Sequence, residues 1–326
     1  GIIGTTVFYK GQGQRAEEGR LRSDAFIGAT EQGKNGAGRY ILGTLVVLAF
    51  WLLLGSIPLL AAFAWVQFDG DPATGIDFET GQITGMEPLF GGYLVPNLTF
   101  PIFLAGIVLA VHLLHRRPVR TLITPRKRVD LSRVGKGFLV WGVLALAVTA
   151  LEILLYPDAF RWNPVPAGRY ASFAVLALIF TPLQTTTEEL FFRGYLLQGL
   201  GRAVPMAWLL AILNGILFMV PHLGNPELSV GPALLMLYYF GMGAFFSWIT
   251  LRDGTAELAL GAHAANNLFV ALLINFEGSA LQTPALVMSD RLDPFFNLAT
   301  FVVMAGVFYA IVFGLSSRRA PRSEEG

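Results

Sequence analysis

The sequence predicts an all-α fold: a polytopic membrane helix bundle of about eight transmembrane helices. Three observations lead there. Of 326 residues, 54% are hydrophobic and only 14% charged, against roughly 25% charged in an average soluble domain. The apolar residues fall in runs near the length of about 20 that a bilayer core requires of a helix. The basic residues are confined to particular connections. Together these exclude a soluble enzyme.

In chain order the expected spans are Tyr40 to Val66, Tyr93 to Leu114, Gly137 to Tyr156, Ala171 to Leu200, Val204 to Val220, Val230 to Leu251, Thr255 to Phe276 and Phe295 to Leu315. The first is almost purely aliphatic and aromatic, as suits a helix facing lipid. The fourth, fifth and seventh carry ionisable and amide side chains at membrane depth. The first 39 residues are polar and Gly-rich and read as a mobile cytoplasmic tail. No cysteine is present, so disulfides and thiolate chemistry are excluded.

Charge sets the expected orientation. Lys10, Arg15, Arg20, Arg22, Lys34 and Arg39 precede the first span. Arg116, Arg117, Arg120, Arg126, Lys127, Arg128, Arg133 and Lys136 fill the connection after the second, and Arg318, Arg319 and Arg322 close the chain. The connection between the first two spans holds Asp69, Asp71, Asp77, Glu79 and Glu87 without a Lys or Arg. The positive-inside rule then places both termini in the cytoplasm. Between two spans such a basic connection is a topology signal beside anionic lipid headgroups, and no nucleic-acid partner is expected.

A charge at the centre of a membrane helix costs about 2.5–3.5 kcal/mol on the mild insertion scale, so the acids and bases of the fourth span need a reason. Glu189 and Arg193 are four apart with the acid N-terminal, the favourable order for an ion pair, and read as a packing knot. Glu188 points about 100° away from Glu189 and is left to face something else, as a general base would. Asn214, Phe218 and His222 share one face of the fifth span, and His263 and Asn267 one face of the seventh. A single His near a helix end is more often structural than catalytic. Two such stripes beside the carboxylates favour a site. His112 and His115 read as interfacial, Glu152 as snorkelling from the end of the third span, and Glu257 as an acid suited to a helix N-terminus. Gly241 and Gly243 read as close-packing positions.

The run Glu188-Glu189-Leu-Phe-Phe-Arg193, then Phe218-Met-Val-Pro-His222, then His263-Ala-Ala-Asn-Asn267 resembles the three-motif signature of the CPBP family, the CAAX prenyl endopeptidases of type II, also called Abi. The resemblance covers about Thr181 to Phe276, and no motif is assigned in the N-terminal third. It implies an intramembrane endopeptidase in which Glu188 and His222 activate water while His263 and Asn267 stabilise the oxyanion. Glu189 and Arg193 would hold the helix and Phe218 would line the pocket. The metal-independent version is favoured, with no cofactor. The alternative is zinc on Glu188, His222 and His263. The rival function is an inactive scaffold or a transporter using the same buried polar groups.

The expected organisation is therefore a tail at 1–39, peripheral helices at 40–156, a catalytic helix core at 157–294, and a last helix with a basic tail at 295–326. The expected partners are membrane lipids and a peptide or protein substrate, with or without a lipid. The expected location is a prokaryotic plasma membrane. The polar stripes should meet in one cavity between the fourth, fifth and seventh spans. One tension stands in the way: counted from the cytoplasmic helix ends, His222 comes out deeper than His263.

Overall fold

The structure, a computed structural model, describes residues 23–77, 82–84 and 89–314. Eight long helices run through them. They are α1 Ala37–Phe68, α2 Gly92–His115, α3 Leu131–Leu155, α4 over 167–201, α5 Ala207–His222, α6 Pro232–Asp253, α7 Glu257–Leu272 and α8 Pro294–Gly314. Among the described residues, α1, α2, α3, α6 and α8 are long and apolar enough to cross a membrane. The other three carry the polar motifs or are short. The protein is an all-α membrane helix bundle, and its outer surface agrees: Leu53, Trp65, Leu139, Leu154 and Val303 are all more than 60% exposed. Such side chains face hydrocarbon at no cost.

Helix ends follow local chemistry. Helix α3 starts six residues earlier than expected because Asp130 caps it, its carboxylate accepting from the Ser132 N–H at 3.0 Å. Asp293 caps α8 likewise, accepting from Phe295 and Phe296. Helix α5 starts at Ala207, three residues later than expected. Its 13 α-helical residues close in a three-residue 3₁₀ turn ending at His222. Its length of about 25 Å is less than the roughly 30 Å hydrocarbon core, so His222 stays inside the bundle. Counted from the observed starts, His222 still lies about 13 Å further along its helix than His263, yet both rings pack on Phe218.

Three expectations about the chain's organisation are corrected. The tail is docked from Ser23 onward: Phe26 is fully buried, and the Lys34 N–H donates to the His115 carbonyl at 2.6 Å. Lys10, Arg15, Arg20 and Arg22 lie outside the described residues, as do Glu79, Glu87 and the C-terminal arginines. Helix α3 is no peripheral helix. It packs along α7 at glycines: a side chain on Gly137 would collide with the Leu258 backbone, and one on Gly261 with the Val134 backbone. Finally, the seventh span stops at Leu272. Residues Ile274–Phe276 form strand β4, which pairs in parallel with Val287–Ser289 (β5), itself antiparallel to Phe160–Trp162 (β3). A second small ribbon joins Gly75–Asp77 (β1) to Gln82–Thr84 (β2). The β3–β5–β4 sheet closes one end of the bundle.

The core is aromatic and lies around the fourth helix. Phe103, Trp141, Phe191, Phe192, Tyr195, Phe218 and Phe246 bury their rings together. Gly215 and Gly243 bring α5 and α6 together, with Gly243 against both Gly215 and the Phe218 Cβ. Gly241 admits the Phe301 ring. These contacts set where the motif side chains point.

Candidate active site

Helix α4 supplies the carboxylates from an irregular stretch. Pro182 interrupts its hydrogen bonding, and Thr185 and Thr187 donate back to the carbonyls of Thr181 and Leu183 at 3.1 and 2.8 Å. After Glu189 the helix widens into π-type turns over Leu190–Leu196, a local rewinding that often accompanies functional sites. Glu189 and Arg193 are fully buried and pair at 3.1 Å. The guanidinium lies 4.1 Å from the Phe218 ring centroid and 5.4 Å from that of Phe246. Flat cations stack well on aromatic faces.

His263 joins the two acids. Its Nδ1–H donates to Glu189 Oε1 at 2.7 Å, and its Nε2 lies 3.6 Å from Glu188 Oε2. Glu189 therefore grips two partners, Arg193 and His263, and is more than a packing knot. His222 is oriented by its own helix: its Nδ1–H donates to the Phe218 carbonyl at 2.9 Å, which leaves Nε2 as the acceptor nitrogen of the neutral ring. Its ring stacks on Tyr239, with centroids 4.3 Å apart. The Phe218 ring lies 4.8 Å from His222 and 6.0 Å from His263, so one side chain touches both histidines.

Glu188, Phe218, His222, His263 and Asn267 line a single cavity of roughly 360 Å³. Asn267 Oδ1 accepts from Asn266 Nδ2 at 3.2 Å, and Asn266 Oδ1 accepts from Trp141 Nε1 at 3.2 Å. That chain turns the Asn267 amide so that its own N–H groups are the ones left to donate. Asn214, by contrast, is structural. It donates to the Phe192 carbonyl and accepts from Ser247, away from the cavity.

Sequence reasoning missed part of this lining. Gln184 sits one turn before Glu188 on the same face, and its Oε1 is buried with no partner among the described residues. The four-residue step from Glu188 could have found it. Trp141, Tyr239 and Glu227 carry no such signal, because their role comes from helices and loops distant in sequence. Glu152 also lines the cavity.

Two other polar groups are enclosed by the protein. His115, at the end of α2, is fully buried, held at 2.8 Å by the Lys34 carbonyl and at 2.9 Å by the Tyr195 hydroxyl. Glu257 opens α7, as expected of an acid at a helix N-terminus, and is buried there in a knot with Arg133 at 3.2 Å, the Asp130 N–H at 2.8 Å and Thr255 at 3.2 Å. As for a metal, no three His, Cys, Asp or Glu side chains among the described residues come together as an ion would require. The set Glu188, His222 and His263 thus forms no common coordination sphere here.

Glu152, Glu188, Glu227, His222 and His263 thus line one largely apolar cavity inside a membrane helix bundle. Residues 169–269 match the family model described as type II CAAX prenyl endopeptidase Rce1-like. The chain is also 33% identical over 281 residues to an uncharacterised protein, YyaK, of Bacillus subtilis (strain 168), covering 85% of this chain and 92% of that one. The chain belongs to the CPBP family of CAAX-protease-like intramembrane endopeptidases.

Proposed function

We propose that this protein hydrolyses a peptide bond inside the membrane, using a water activated by Glu188 and His222 and no metal. The observation that carries this reading is the pairing of Glu188 with His263 at 3.6 Å in the wall of the cavity that His222 and Asn267 also line. A water between Glu188 and His222 Nε2 gives up a proton as its oxygen attacks the substrate carbonyl carbon. The new oxyanion takes hydrogen bonds from Asn267 Nδ2 and, in its protonated form, His263 Nε2. His263 suits that role because Glu189 holds its other nitrogen as a donor. The protonated Glu188 carboxyl then gives its proton to the leaving amine, and the C–N bond breaks. Arg193 offsets the charge of Glu189 throughout.

The substrate is a peptide or protein segment that reaches membrane depth. The family's name suggests a prenylated C-terminus, and the apolar walls around Trp141, Phe269 and Phe301 suit a chain that carries a lipid or is itself apolar. The proposed location is a prokaryotic plasma membrane.

The test is cleavage of an internally quenched peptide ending in a farnesylated CAAX sequence, by the full chain in liposomes. Glu188→Gln keeps the shape and hydrogen bonding but removes the basic oxygen. It should lower turnover by at least a hundredfold while the protein still accumulates. Dialysis against a chelator should leave wild-type turnover within twofold. Full activity in Glu188→Gln would remove Glu188 from the mechanism, and loss on chelation reversed by zinc would replace the metal-free version.

A further inference from the structure

The wall behind His222 contains a carboxylate that the mechanism above does not use. Glu227 is only 7% exposed, and among the described residues no Lys or Arg pairs with it. Neutral donors hold it instead. The Tyr239 hydroxyl donates to Oε1 in a short bond, Asn225 Nδ2 donates to the same oxygen at 3.0 Å, and the Ala280 N–H donates to Oε2 at 2.9 Å. Asn225 also donates to the Tyr239 hydroxyl at 3.0 Å. Burying a carboxylate without a cation is costly, and stability alone does not favour it. What the arrangement does is fix the Tyr239 ring, and that ring is the surface on which the His222 imidazole lies, 4.3 Å away and tilted by 25°.

His222 needs such support. It ends a helix, in a single 3₁₀ turn after Pro221, where the backbone is least constrained. Its one hydrogen bond among the described residues, to the Phe218 carbonyl, fixes Nδ1 but leaves the ring free to pivot about that bond. Phe218 restrains it on one side and Tyr239 on another. The Tyr239 face is also electron-rich. A hydroxyl that donates to a carboxylate adds electron density to its ring, and the His222 imidazole lies on that face.

Resting on the protease reading, we propose that Glu227 and Tyr239 are positioning residues for His222: Glu227 clamps Tyr239, and Tyr239 holds the imidazole in register with Nε2 toward the water that gives its proton to Glu188. The clamp also ties the 223–231 loop to the Ala280 segment, so the loop after α5 and the segment after β4 are set together with the histidine.

Two measurements on the full-length protein in detergent test this. The first is the rate at which diethyl pyrocarbonate modifies His222, read by mass spectrometry, with exposed His112 as the internal control. Glu227→Ala and Tyr239→Leu should speed His222 modification three- to tenfold and leave His112 unchanged. Tyr239→Phe, which keeps the ring but loses the clamping hydroxyl, should match Glu227→Ala and stay below Tyr239→Leu. The second is cleavage of the farnesylated peptide. Tyr239→Leu and Glu227→Ala should lower kcat at least tenfold with KM within twofold, and Tyr239→Phe should match Glu227→Ala, because it loses the same bond. An unchanged His222 modification rate in both severe variants overturns the proposal, as does unchanged kcat. So does a kcat loss that merely follows the fraction of protein remaining folded. If the wild type cleaves nothing, the protease reading fails, and the modification rates still decide whether Glu227 and Tyr239 hold His222.

Discussion

Glu189 and Arg193 illustrate how one residue's surroundings set several roles. The four-residue spacing identified the pair, but not that Glu189 also holds His263 at 2.7 Å. Removing Arg193 would leave the Glu189 carboxylate buried against a histidine and a wall of aromatic rings. Breaking a buried pair in this way typically costs about 3–5 kcal/mol. Arg193→Ala should therefore lower the thermal midpoint of the purified protein and its yield in membranes. Arg193→Lys should restore only part, because an ammonium cannot reproduce the flat stack on Phe218. A thermal scan in detergent checks it, and wild-type stability in Arg193→Ala would show the pair to be dispensable. Glu188 was separable from this pair on helix geometry alone, since adjacent residues diverge by about 100°. The grip of Glu189 on His263 was not, because 74 residues separate them.

At the scale of elements, the contact between α3 and α7 was the least legible. Its signals are Gly137 and Gly261, each glycine facing the other helix's backbone. Backbone cannot retreat as a side chain can, so a larger residue must push the helices apart. Gly261→Val should cost roughly 1–3 kcal/mol as overpacking. It should also separate Trp141 from Asn266 and so loosen Asn267, lowering peptide cleavage even though residue 261 touches no substrate. Parallel measurement of the thermal midpoint and kcat checks this, and a variant with unchanged values for both would deny the close contact. Helix content and order were readable from apolar runs because a bilayer demands them. The three-residue strands β3, β4 and β5 were not readable, because segments so short are decided by their partners and not by their own periodicity.

The whole molecule raises the question of which side its cavity faces. The lining uses the C-terminal halves of α3 and α7 and the N-terminal halves of α6 and α8, and it reaches Asn225, Ser279 and Arg291 in the loops between them. These lie at the end of the bundle opposite the start of α3 and the basic connection around Arg126. If that connection is cytoplasmic, as its charge demands, the cavity is approached from the other face. In intact cells a Cys placed at Arg126 should resist a membrane-impermeant maleimide, and one placed at Ser229, on the exposed loop after α5, should react. The reverse pattern would invert the orientation and put the mouth of the cavity in the cytoplasm.

By itself the sequence determined that the chain is a membrane bundle and which helices carry the polar groups. These follow from local physics: the length and apolarity of a span, the 3.6-residue period and the cost of a charge in hydrocarbon. The three motifs were legible as a family resemblance. Only the tertiary structure decided that Glu188, His222, His263 and Asn267 share one cavity, that α3 belongs to its wall, that residues 23–36 dock on the bundle, and that Glu227 and Tyr239 stand behind His222. Those relations depend on where helices cross and how closely glycines let them approach. They join residues tens of positions apart, and no periodicity along the chain encodes such a distance.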